Sequence, residues 1–278
     1  MKTTIRFKKK IILLLFSGLF ITLTISKGAG GVVVNPGEKI SYDLYYNWGI
    51  LWIHAGNAHF STLSTTYKNE PCYYFSATGN SLSSFDKFYI VRDTFVTIID
   101  RETLLPKYHK RIVREDSYWA QDEYWFKNVD DENVSVVTDC HRKKGRNIDT
   151  LTINKSVTDL VTAIYKVRNS DFQNLKKNDI IPFSIIIDDD GKQYDLSLTY
   201  LGKEKIELHN GKKYNCIKLR PKLIKGDVFK DENAMTMWIS DDQNRIPIMI
   251  ETKIRVGSLK VMLKNVSNTK YPIDSLIK

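Results

Sequence analysis

Residues 41–48 alternate without a break: Tyr42, Leu44, Tyr46 and Trp48 fall on one face, and Ser41, Asp43, Tyr45 and Asn47 on the other. A period of two is the pattern of a half-buried β-strand. It recurs along most of the chain. Residues 50–60 form a partner across Gly49, and short apolar or alternating runs follow at 73–78, 88–100, 107–114, 118–127 and 133–139. Further runs lie at 181–188, 193–200, 205–209, 213–220, 235–240, 246–255 and 259–266. Asp130-Asp131-Glu132, Asp189-Asp190-Gly191 and Asn210-Gly211 separate successive runs. Asp-Gly and Asn-Gly between alternating segments are strong hairpin signals, because both residues accept the positive φ that a tight turn requires.

A dozen or more short strands at hairpin spacing must pair antiparallel, since parallel pairing needs crossover helices between them. So many strands also curl, because a long flat sheet leaves edges that invite aggregation. The expected fold is all-β and mainly antiparallel: a curled sheet or open β-barrel with one short helix covering one end. That helix is expected over about Val157 to Arg168. Ser156-Val157-Thr158-Asp159 resembles a capping box, and Leu160, Val161, Ile164, Tyr165 and Arg168 recur at three- and four-residue intervals. A second, very short helix is expected at 172–175. Cys72, Cys140 and Cys216 permit at most one disulfide and read as buried thiols. His54 and His59, five apart on a strand, are expected on opposite faces.

The N-terminus reads as an address. Lys2, Arg6, Lys8, Lys9 and Lys10 precede an almost wholly apolar stretch over 11–25, and small residues follow at 28–31. That is the order of a secretory signal peptide, and about 15 apolar residues are too few for the ~20 of a stable membrane span. The expected organisation is a signal peptide over 1–29 and one β-rich domain over 30–278. The charge then changes meaning. The whole chain, with 42 Lys+Arg and 32 Asp+Glu, carries +10. Cleavage near Ala29 removes six positive charges and leaves +4 over 249 residues, an ordinary surface that does not call for nucleic acid. The short basic run Arg142-Lys143-Lys144-Gly145-Arg146 reads as a solvated turn.

Several blocks resemble the DUF3108 family of exported bacterial proteins. They are Gly37-Glu38-Lys39-Ile40-Ser41-Tyr42 with Trp48-Gly49 and Ala55-Gly56, then Val91-Arg92-Asp93 with residues 102–106, and residues 159–165 ending in Arg168. Trp238-Ile239-Ser240-Asp241-Asp242, Arg245-Ile246-Pro247 and Val256-Gly257-Ser258 are the most specific. The resemblance implies a β-rich fold and a periplasmic or outer-membrane-associated location in a Gram-negative, Bacteroidetes-like bacterium. It carries no catalytic residues.

The chemistry visible in the residues is sparse. No nucleophile elbow, HExxH helix, Walker loop or dinucleotide fingerprint occurs, and no motif implies a cofactor or metal. Paired carboxylates at 130–132, 188–190 and 241–242 read as turn residues. Arg168 is open to a partly buried ion pair with Arg92-Asp93, against separate exposed charges. Two functions remain. In one, the stripe Tyr42, Leu44, Tyr46 and Trp48 lines a barrel that carries a lipid or other amphiphile. In the other, the protein is a structural or assembly component of the envelope that acts through its surface; a hydrolase of envelope polymers ranks behind both. An enclosed apolar cavity of several hundred Å³ favours the carrier, and a filled interior favours the surface.

Overall fold

The computed structural model describes residues 32–48, 51–187, 192–223, 231–254 and 257–278. The expected signal peptide, the Asp188–Gly191 turn and the side chain of Trp48 lie outside the described residues.

Among the described residues, fifteen strands and one helix follow in the order β1 (Lys39–Trp48), β2 (Leu51–Tyr67), β3 (Glu70–Ser81), β4 (Val91–Asp100), β5 (Pro106–Glu115), β6 (Tyr118–Asn128), β7 (Asn133–Arg142), β8 (Gly145–Asn154), α1 (Leu160–Arg168), β9 (Ile180–Ile187), β10 (Lys192–Glu207), β11 (Lys213–Pro221), β12 (Met235–Ser240), β13 (Pro247–Lys253), β14 (Ser258–Ser267) and β15 (Leu276–Ile277). All ladders between strands are antiparallel, and the sheet order is β8-β7-β6-β5-β4-β3-β2-β1-β14-β13-β12-β11-β10-β9, with β15 on β11. Two meanders are thus joined by one long-range pairing, β1 with β14, in which Tyr42 opposes Leu263 and Tyr46 opposes Leu259. The ladder does not close. β8 and β9 are its two ends, and a single parallel bridge, Thr158 with Ile185, spans the gap between them. Val157 packs there with Tyr124, Ile153 and Ile186.

The expected hairpins are present. Glu207 pairs with Lys213 around Asn210-Gly211, and Asn128 pairs with Val134 around the acidic turn, where Asp130 accepts from the Glu132 and Asn133 amides. Residues 193–200 and 205–209 belong largely to one strand, β10, with an irregularity between Tyr200 and Gly202. Residues 145–154, absent from the expected strand runs, form β8. In the hairpin before it, Arg142 reaches the Asp122 carboxylate and Arg146 the Asp139 carboxylate, so two residues of the basic run are already paired.

Three local expectations are corrected. Residues 172–175 form a turn without a helix, the Asp171 carboxylate accepting from the Gln173 amide. Asp159, not Ser156, caps α1, accepting from the Val161 and Thr162 amides at 2.9 and 3.0 Å. Thr158 cannot serve in the helix, because its backbone bonds Ser184 and Ile186 of β9. Finally, His54 and His59 share the outer face. A bulge in β2 opposes Leu44 to Gly56 and Tyr45 to His54, leaving Ala55 as an extra residue that inverts the alternation. At the same place Gly56 is pressed onto β3, where a Cβ would lie 2.5 Å from the Asn80 carbonyl oxygen.

Candidate functional site

The inner face of β1 was the candidate ligand face. Tyr42, Leu44 and Tyr46 do point inward and are buried. Tyr42 and Leu44 face α1, and Tyr46 meets Phe85. All nine helix residues are buried, including Lys166 and Arg168, so the helix has no solvent side. Tyr165 stacks on Phe75 of β3 with centroids 3.6 Å apart, and its hydroxyl is 2.9 Å from Thr62 Oγ1. Ile164, Tyr165 and Arg168 face Tyr42, Leu44 and Phe60, leaving a cavity of about 40 Å³ with an almost entirely carbon wall. That is room for a few water molecules, whereas sites for small ligands run to ~300–1,000 Å³.

The charges inside the barrel are organised around the two ends of α1. At its C-terminal end the Arg168 guanidinium grips Glu38 at 2.5 and 2.8 Å and donates from Nε to the Asn244 carbonyl at 3.0 Å. Burial alone would lower the pKa of Arg168, but the Glu38 carboxylate outweighs it and raises the value. Burial pushes the hydroxyl of Tyr165 up to about 12, with Arg168 and Glu38 acting in opposite directions. Asn244 continues the chain of bonds: its amide donates to the Tyr271 and Pro272 carbonyls, and neighbouring Asp242 accepts from Ser275, pinning the C-terminal segment. Arg168 therefore finds Glu38. The alternative partners are engaged elsewhere, Arg92 with Asp86 at 2.6 Å and Asp93 with the Arg114 amide at 3.2 Å.

At its N-terminal end Asp159 also accepts from Thr97 Oγ1 at 2.9 Å and lies 3.2 Å from His109 Nδ1. Burial would raise the Asp159 pKa, yet His109, Thr162 and the cap amides hold it below the ordinary aspartate range. Thr97 and Asp159 converge on the same ring nitrogen, and His109 is 1 % exposed. A Ser-His-Asp relay needs the nucleophile on one nitrogen and the acid on the other, so this set is a structural knot. Beside it, Lys166 is pulled down to about 8 by burial, opposed by Asp159.

A second buried group lines β4–β6. Arg111 donates from Nε to Asp122 at 2.8 Å, and Asp93 lies near Glu115, both carboxylates buried. Desolvation, then Glu115, pushes Asp93 up to about 8, and its Oδ2 has no hydrogen-bond partner among the described residues. Asp93 is raised and close to a second carboxylate, as in many catalytic pairs, but at 1 % and 0 % exposure no polymer reaches either group.

None of Cys72, Cys140 and Cys216 is in a disulfide, and burial pushes the Cys216 thiol up to about 12, which makes it inert. Among the described residues, no group of three His, Cys, Asp or Glu is placed to hold a metal. No described helix is long and apolar enough to cross a membrane.

Comparison with known proteins agrees with the fold. The "Beta-barrel-like Protein of Domain of Unknown Function DUF1849 from Brucella abortus", a crystal structure, superposes with a TM-score of 0.54 at 9% identity, covering 86% of this chain and 100% of that one. At that identity the likeness is one of fold. No curated protein matches the chain. The model of the family described as "Protein of unknown function (DUF3108)" matches residues 41–264, more than half the chain, and the protein belongs to that family.

Proposed function

We propose that the protein is an exported, non-enzymatic envelope component that acts through its surface, its barrel interior being given over to stability. The observation that carries this reading is the filled interior: α1 occupies the space that a carried molecule would need, leaving about 40 Å³. The buried ion pair and the Asp159 knot fix the helix at both ends. Export is supported by the basic and then apolar order of the first 25 residues.

A second reading keeps the carrier. In it, Tyr42, Leu44, Tyr46 and Trp48 receive the acyl part of an amphiphile once α1 is displaced, and the carbon wall of the small cavity favours it. Recovery of the protein from its native envelope, followed by lipid extraction and mass spectrometry, separates the two. Surface action gives only trace lipid that Tyr46→Ala and Trp48→Ala leave unchanged. About one lipid per chain, lost in those variants, supports the carrier.

A further inference from the structure

Trp48 and Leu51, the paired ends of β1 and β2, lie at one rim of the barrel. On one side β14 stops at Ser258, opposite Asn47; on the other, the last β3 pair is Ser81 with Gly56. The Leu82 amide still bonds the Ala55 carbonyl and Trp52 is level with Asn47 and Ser258, so on the β3 side alone residues 51–54 run past the last backbone bond, by about 13 Å at ~3.3 Å per residue. Two large apolar side chains are exposed here: Leu51 is 64% exposed and Trp52 36%. Phe88, 46% exposed, belongs to the same rim through a chain of rings. It lies 5.8 Å from Phe85, which lies 6.1 Å from Tyr46, the register partner of Ile53.

Cations sit on these aromatics. Lys260 Nζ is 4.7 Å from the Trp52 ring and Lys87 Nζ 5.2 Å from that of Phe88. Lys260 also meets Glu251 at 3.3 Å, and Asp86 is taken up by Arg92. Exposed Leu, Trp and Phe with lysines alongside is the composition of an interfacial anchor: the rings enter the boundary between headgroups and acyl chains while the ammonium groups meet lipid phosphates.

We propose that this rim, with Leu51, Trp52 and Phe88 as its apolar contacts and Lys87 and Lys260 as its cations, docks on an anionic bilayer surface. The inference rests on the surface-acting reading and names its partner.

The full chain also carries the apolar segment at 11–25, so flotation with vesicles does not by itself test the rim. The readout is insertion of a reporter. Leu51→Cys, bearing an environment-sensitive NBD label, is mixed with vesicles of phosphatidylethanolamine and phosphatidylglycerol. The unmodified chain taken through the same labelling is the blank, and Asn69→Cys, in the β2–β3 turn at the far end of β2, is the control. The label at 51 is expected to brighten severalfold and shift to the blue, and that at 69 to stay unchanged. Lys87→Gln with Lys260→Gln is expected to weaken the response about tenfold on these vesicles and little on phosphatidylcholine alone. An unresponsive label at 51 on vesicle-bound protein overturns the proposal. So does an equal response at both sites. If the rim stays dry while the chain still cross-links to an envelope protein in cells, the lipid partner falls and surface action stands. A response that persists after the vesicles are removed, with lipid held on the protein, overturns docking in favour of the carrier.

Discussion

Glu38 and Arg168, 130 residues apart, form a two-pronged ion pair in the interior, with side chains 1% and 2% exposed. It ties the residue before β1 to the last residue of α1, and through the Asn244 carbonyl to the β12–β13 turn. A buried pair of this kind is costly to break, because the surviving charge stays buried without its partner. Glu38→Gln or Arg168→Met is expected to cost ~3–5 kcal/mol, read as a lower urea midpoint. The double variant Glu38→Leu with Arg168→Met is expected to lose less than the sum. Additive losses would show that the two groups act independently.

Asp93 gives the fold a pH dependence of definite sign. Its folded value, about 8, lies above the ordinary 3.8, because burial and Glu115 disfavour the charge. The folded state therefore holds an extra proton between those values. The resulting stability is complete below about 4 and is lost as pH rises through about 8. Asp93→Asn removes the titration, so the variant is expected to show a flatter stability profile from pH 5 to 8 and to exceed the parent above pH 8. An unchanged profile in urea melts across that range would assign the slope to other groups.

Gly56 sits where the β2 bulge meets β3. Gly56→Ala drives a methyl group to 2.5 Å from the Asn80 carbonyl oxygen, a backbone atom that cannot swing away. A loss of ~2–4 kcal/mol is expected from overpacking with backbone displacement. Gly211→Ala, whose added carbon meets nothing within 4 Å, is expected to cost less, through its positive φ alone. Thermal melts of the two variants in parallel separate a steric origin from a conformational one.

The alternation that marked β1 marked most of the barrel, because each strand buries one face. β8 escaped for the same reason in reverse: of its ten residues only Ile153 is buried, so no period shows. The β2 bulge carries no sequence signal beyond a Gly that permits it, and one extra residue there sent both histidines outward. The helix was legible from its spacing, but its burial on every side was not. Lys166 lies off the apolar stripe, and the groups that accommodate Arg168, Glu38 and Asn244, arrive from distant parts of the chain. Filling of the interior likewise depends on how β3 meets Tyr165, a contact between residues 90 positions apart.

The account turns on α1 being a fixed filling of the barrel, and native-state hydrogen exchange tests that most directly. The amides of Val161 to Arg168 are expected to exchange as slowly as those of the central β3–β4 ladder, only on global unfolding, and added palmitate is expected to leave them unchanged. Exchange of the helix through a low-energy local opening, slowed when palmitate is present, would contradict the account and make the barrel a carrier.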